Sequence, residues 1–452
     1  MSESPQPKFN PQAPHQQRPK LRQVRVFPAE VQGQQLMGIA DARQVSERAV
    51  VTSPAAQFVL PMLDGQKNLD EVVSAVGRGL TRPILEQLVA QLDDAGLLEG
   101  PVYNAIISKI HTDFDSAPNL PPGSTAAMAD AMAASHLGSQ EKFEALSAEQ
   151  KGALGAERMR FHFDEWMSMA LKDAEKPSFD SLPRAVVAPH LDYPRGWVNY
   201  GATWGRMRVV DRPDRVIILG TNHFGEGTGV TGSPKGYESP LGTCEADTWF
   251  IDALGKNLGG AHTDLLFKNR FDHEREHSIE LQIPWIQHCL GKGDTGRFPM
   301  VFAALVHDPA ANNGESYDGK GLALDPFLES MRKTLATSPG KTLIVSSADL
   351  SHVGPAFGDQ LAMAGDDPQV VEARNNVFRH DQDLLRMLTE LKPDEMVSAM
   401  SWQGNATRWC SLGNLVAACK LANPNRVEML SYSGAMDPEG TTLVTSASMV
   451  MA

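Results

Sequence analysis

From Arg184 onward the chain alternates short apolar runs with helical stretches. The runs are AVVA (185–188), VIIL (216–219), MVFAALV (300–306) and TLIVS (342–346). Continuous β-branched runs of this kind suit parallel strands covered on both faces. The pattern predicts an α/β domain over residues 155–452, a mainly parallel sheet flanked by helices. Upstream, LRQVRVFPAEVQGQQLMGIAD alternates like two short strands. Three helical stretches follow. Ser53-Pro54 is an N-cap with proline at the first helical position, leading into AAQFVLPML. NLDEVVSAVG is the second. RPILEQLVAQLDDAGLL is the third, with Ile84, Leu85, Leu88, Val89 and Leu92 on one face and Gly96 as a stop. Residues 21–103 are therefore expected to form a small winged-helix-like α+β module. Residues 1–20, rich in Pro and Gln without apolar periodicity, predict a disordered tail. Residues 104–154 combine a Pro/Ser/Gly-rich linker at 111–126 with an Ala-rich helical region.

Length and charge narrow the classes. A chain of 452 residues is expected to hold two or three domains. A formal net charge of -14 argues against nucleic acid or an anionic membrane as the main partner. No apolar run approaches the roughly 20 residues of a membrane span. The first residues carry no apolar signal core, so a cytoplasmic location is expected. Cys244, Cys289, Cys410 and Cys419 show no CxxC spacing and form no disulfide framework.

Each apolar run of the larger domain leads into a polar turn. AVVAPH delivers His190, VIILGTNH delivers His223, and MVFAALVH delivers His307. TLIVSSADLSH delivers Asp349, Ser351 and His352. Ligands of open α/β sheets bind beyond the carboxyl ends of the strands. Several such turns in one sheet predict a shared pocket, with His307 its weakest member because HDPAANNG also reads as an ordinary loop. FDHEREHSIELQIPW contains HEREH, the H-E-x-x-H pattern of zinc peptidases. The flanking Asp272, Arg275 and Glu276 are wrong for a core helix, and Ile283 stands where a third histidine would fall. The zinc-peptidase reading is rejected on that ground. His277 and Glu280, three residues apart, are expected to face one cleft instead.

Two resemblances add to this reading. LDGQKNLDEVV and LVAQLDDAGLL make the N-terminal module resemble the PqqD-like family, which implies a module that docks a peptide or partner protein. From about residue 155 the chain resembles the MEMO family through six ordered blocks: APHLDYPRG, ILGTNHFG, SPLGTCEAD, EHSIELQIPW, SSADLSHVG and TRWCSLGNLVAAC. That family is similar in fold to the class III extradiol (LigB-type) dioxygenases. The resemblance implies a non-haem Fe(II) site, with another divalent ion as the alternative, acting on a small-molecule substrate. It also implies an AmmeMemoRadiSam association with radical SAM and AMMECR1-like proteins. Carried over by block, His190 and His223 become metal ligands and His277 the acid/base. The third ligand position falls on Ser351, with Asp349, Glu280 and Asp192 as carboxylate alternatives. Asn222, Tyr193 and His352 are expected to line the same pocket. The alternative function is a non-catalytic partner-binding or metal-handling protein.

Overall fold

The computed structural model describes residues 7–31, 33–43 and 45–452. The chain divides into two units, Met1–Ala117 and Pro118–Ala452. The first begins with the short helix α1 (Pro14–Gln17). An antiparallel sheet follows, β1 (Val24–Val31), β2 (Gln34–Asp41) and β3 (Ala49–Thr52), in that order. β3 was not expected: its four residues are too few to show alternation. The stretch after Ser53 forms two 3-10 turns, Pro54–Phe58 and Leu60–Met62, because Pro61 withholds the donor a longer helix needs. Helices α2 (Leu69–Val76), α3 (Arg82–Asp94) and α4 (Pro101–Ser116) complete the unit. Asn68 and Glu71 close a capping box on α2. Leu85, Leu88, Val89 and Leu92 of α3 join Ile39, Leu69 and Leu97 in one core. Ile84, expected on that face, is 58% exposed.

The N-terminal expectation needs correction. Residues 1–6 lie outside the described residues, but 7–20 are built into the first unit. Gln16 is buried and donates to Asp93 at 2.6 Å, and His15 Nε2 meets the same carboxylate oxygen at 2.9 Å. A buried carboxylate needs such partners, and this one recruits the tail. The 104–154 region is likewise not one connecting segment. α4 belongs to the first unit, and the chain from β4 (Asn119–Leu120) onward to the second. There α5 (Ser124–Leu137) and α6 (Gln140–Glu144) lead into α7 (Ala148–Leu171). α5 and α7 cross closely: a Cβ on Gly155 would lie 3.1 Å from that of Ala129.

The remaining elements are β5 (Ala185–Ala188), α8 (Tyr193–Trp204), β6 (Arg215–Gly220), β7 (Thr231–Ser233), β8 (Gly236–Ser239) and β9 (Gly242–Cys244). Then come α9 (Thr248–Leu258), α10 (Gly260–Phe267), α11 (His277–Glu280), α12 (Ile283–Leu290), β10 (Met300–Leu305), α13 (Leu324–Thr337), β11 (Thr342–Ser347) and β12 (Asp349–Val353). The chain closes with α14 (Pro368–Thr389), α15 (Pro393–Gln403), α16 (Leu412–Ala422), β13 (Val427–Met436) and β14 (Leu443–Met451). The main sheet runs β12-β14-β5-β11-β6-β10-β7, with β13 paired to β14. Its middle strands β5, β11, β6 and β10 are parallel and coincide with the four apolar runs. One face packs on α9, α13, α15 and α16. On the other, Trp285 of α12 lies between Phe163 of α7, 3.7 Å away by ring centroid, and Tyr200 of α8 at 5.4 Å.

β11 inserts between β5 and β6, although β5 leads into β6 through α8. That reversal opens a crevice at the carboxyl ends of β5, β11 and β6.

Candidate metal centre

His190 stands two residues beyond β5 and is buried. Its Nδ1 faces the Ser347 carbonyl at 3.1 Å. A carbonyl only accepts, so Nδ1 carries the proton and Nε2 presents a lone pair. His223 follows β6, and its Nδ1 lies 3.0 Å from Glu276 Oε1. The other Glu276 oxygen accepts the His223 backbone N–H at 2.7 Å. This fastening leaves His223 Nε2 on the open side as well. Cys410, in the turn before α16, brings its sulfur 3.3 Å from His190 Nε2. One ligand atom from each of His190, His223 and Cys410 lies within 4.8 Å of the others, a set that could hold a metal ion. Two imidazoles and one thiol suit a first-row transition ion.

The electrostatics follow from burial and from Glu276. Burial pushes the pKa of His190 well below the ordinary histidine value, with the neighbouring imidazoles adding to the effect. Burial acts the same way on His223, but Glu276 and the Cys410 sulfur outweigh it and raise its pKa well above normal. A bound cation would take the place of the proton held there. Against its own burial, Glu276 is held at about 2 by His223 and His277. The same carboxylate lies 3.4 Å from His277 Nδ1 and accepts the Ser278 N–H at 2.8 Å. One buried glutamate thus orients two histidines, the outer-shell role that fixes imidazole ligands in metal sites.

A pocket of about 300 Å³ opens beside the cluster. His190, His223, His277, Asp349, His352 and Asp192 line it, with Leu191, Leu281 and Met128 as apolar wall. The rings of His190 and His277 are 5.6 Å apart, and those of His223 and His277 stack at 4.9 Å. Asp349 accepts the His190 N–H at 3.0 Å and holds its second oxygen 3.6 Å from His190 Nε2. Burial raises its carboxyl to about 7. Burial lowers His352 to about 4.

Several expected residues are engaged elsewhere. The Ser351 hydroxyl donates to Asp381 at 2.5 Å and accepts the Trp409 indole N–H at 3.1 Å, so it is not with the histidines. Glu280 does not share the cleft with His277. Its carboxylate accepts the backbone N–H groups of Gly123, Ser124 and Thr125 and the Thr125 hydroxyl, capping α5. Asp192 is the N-cap of α8 and pairs with Arg195 at 2.6 Å, although it reaches the pocket rim. Tyr193 is buried and donates to the Leu281 carbonyl at 2.9 Å, behind the pocket wall. Asn222 donates to Asp272 and accepts from Gly225, shaping its loop rather than lining the pocket.

HEREH is not one helix. His273 lies in a 3-10 turn, Arg270–Glu274, whereas His277 opens α11. Both ring nitrogens of His273 are occupied, by the Tyr237 hydroxyl at 2.7 Å and the Thr231 carbonyl at 3.0 Å. His307 meets the Gly314 carbonyl at 3.2 Å and stays outside the pocket lining. Sequence reasoning missed Cys410 and Glu276. The one signal for Cys410 was its place in the TRWCSLGNLVAAC block.

The chain is 30% identical to a MEMO1 family protein of Thermotoga sp. (strain RQ2) over 230 residues, 50% of this chain and 70% of that protein. It is 27% identical to one from Methanopyrus kandleri over 58% of this chain and 79% of the relative. A third, from Thermococcus onnurineus, is 27% identical over 63% of this chain and 92% of its own length. No described helix is long and apolar enough to cross a membrane. The model of the Memo-like protein family matches residues 160–450, nearly the whole of the unit that carries the histidine cluster, and the chain belongs to that family.

Proposed function

We propose that this chain is a metal-dependent oxidoreductase acting on a small molecule, with Fe(II) held by His190, His223 and Cys410. The convergence of one ring nitrogen from each of two imidazoles and a sulfur within 4.8 Å carries this reading. A bound iron would supply redox and Lewis-acid chemistry there. The chain's own groups handle protons. With Nδ1 turned to Glu276, His277 leaves Nε2 to take a proton from a substrate. Burial keeps that imidazole below its ordinary pKa and so uncharged near neutral pH. Asp349, at about 7, exchanges a proton in the same range. A pocket of about 300 Å³ limits the substrate to a small molecule. Anaerobic titration with Fe(II) should give about one ion per chain. Glu276→Gln should weaken affinity roughly 10–100-fold by loosening both histidines. A chain that takes up neither Fe(II) nor Co(II) removes the reading.

A second role, for the first unit, has its own support. A groove of about 730 Å³ is lined by Thr52, Phe58, Val76, Leu80, Ile84 and Leu88. β3, the outer strand of that sheet, ends at this groove. A strand edge with no further strand paired to it among the described residues, beside an apolar trough, suits an extended peptide, bound by its backbone with alternate side chains in the trough. The partner proposed is such a segment of a radical SAM or AMMECR1-like protein. Random peptides displayed against the full chain should yield binders with apolar residues at alternate positions, and Ile84→Asp should abolish their binding. Unchanged binding by that variant removes this role.

A further inference from the structure

We propose that Asp381, acting through the Trp409 indole, is the positioning residue for Cys410. This rests on Cys410 being a metal ligand, and it assigns a task to a carboxylate that does not line the pocket. Asp381 lies on α14 with 0% exposure. One oxygen accepts the Trp409 indole N–H at 2.7 Å and the Ser351 hydroxyl at 2.5 Å. The other accepts the Tyr432 hydroxyl at 2.6 Å and the Thr445 hydroxyl at 2.5 Å. All four partners are neutral donors. Burial and the Asp381 charge both push the Tyr432 phenol upward, so it stays protonated and donating. Single side chains from β12, β13, β14 and the turn before α16 are thus tied to one point on α14.

Trp409 directly precedes Cys410. The Asn405 side chain grips the Trp409 backbone at both ends, accepting its N–H at 2.7 Å and donating to its carbonyl at 2.8 Å. Arg408, just before, sits in the left-handed region at φ 57° and donates to the His352 carbonyl at 2.8 Å. On the far side, the Cys410 carbonyl accepts the Thr221 hydroxyl at 3.0 Å. The backbone around Cys410 is held on both sides, and the indole is the longest lever acting on it. With the indole N–H fixed by Asp381, the backbone that carries the Cys410 Cβ stays where its sulfur lies 3.3 Å from His190 Nε2. Ligand placement within about 0.5 Å is what separates a working site from a loose one. Ser351, at the position where a third ligand was expected, belongs to the fastening of the real third ligand.

The test uses Co(II) as the probe, in the full chain, reading the thiolate-to-Co(II) charge-transfer absorption in the near ultraviolet. Cys410→Ala sets the zero of that band. Trp409→Phe removes the indole donor, and Asp381→Ala removes its acceptor. Each should bind Co(II) roughly 10–100-fold more weakly, the range for outer-shell partners. Each should also lose at least half of the band while the metal-free protein keeps its circular dichroism. If one variant fails to fold, the other decides. Full band intensity with affinity within twofold of the parent chain overturns the proposal. Co(II) binding without a thiolate band in the unmodified chain overturns the ligand assignment instead, and this inference with it.

Discussion

Cys410→Ser will lower Fe(II) and Co(II) affinity by at least about 100-fold, beyond the range for outer-shell partners. A serine hydroxyl offers neither the charge nor the soft donor of a thiolate. His190 and His223 remain, so weak binding through two imidazoles should persist. Adding Ser351→Cys to that variant will not restore affinity. A sulfur at 351 would lie against Asp381 and the Trp409 indole, where Ser351 Oγ now sits. Competition titration against a chromophoric chelator measures both variants. Recovery in the double variant would place the third ligand on β12 and contradict the assignment of Cys410.

The second large effect concerns stability. Glu280→Ala leaves three backbone N–H groups and the Thr125 hydroxyl without their acceptor in a site where Glu280 is only 7% exposed. Breaking a buried, charge-assisted cap of this kind costs about 3–5 kcal/mol. Glu280→Gln keeps one acceptor oxygen and should cost clearly less. Chemical unfolding followed by circular dichroism reads the difference. Hydrogen exchange adds a local readout, because the amides of residues 123–125 should lose protection first. Ser124 and Met128 line the metal-side pocket, so loosening this turn also loosens the pocket wall. Unchanged stability in Glu280→Ala would mean that α5 is held by its packing on α7 alone.

The parts of the fold that could be read from sequence were those with a period. The four middle strands announced themselves because both faces are covered by helices and each carries an unbroken apolar run. The turns after β5, β6 and β11 were readable for the same reason, since a polar residue at the end of such a run has few explanations other than a site. β14 shows the opposite case. Its residues are all buried, yet three of the nine in LVTSASMVM are Thr or Ser. Ser446 accepts from Asn199, and Ser448 exchanges a hydrogen bond with Thr203. Small hydroxyl side chains paired with α8 replace the apolar face a strand normally shows, and no period records that. Cys410 escaped for a related reason: it follows an irregular turn rather than a strand, and its partners are 187 to 220 positions earlier in the chain, a separation that spacing rules do not reach. Glu280 was misread because helical spacing places side chains on a face but does not say which neighbour fills them. The N-terminus of α5, more than 150 residues earlier, was the stronger claimant.

His190 and Cys410 meet across 220 residues of intervening chain. An ion bridging them closes most of the second unit into a single ring, as a staple between two distant pages would. An unfolded chain would have to close that loop before it could offer both ligands, so the ion favours the folded form. Every factor of ten in free ion above its dissociation constant adds about 1.4 kcal/mol to the folded form. The Met1–Ala117 unit offers none of those ligands. Added Fe(II) should therefore pull the melting of the two units apart, raising that of the second while the first responds to heat alone.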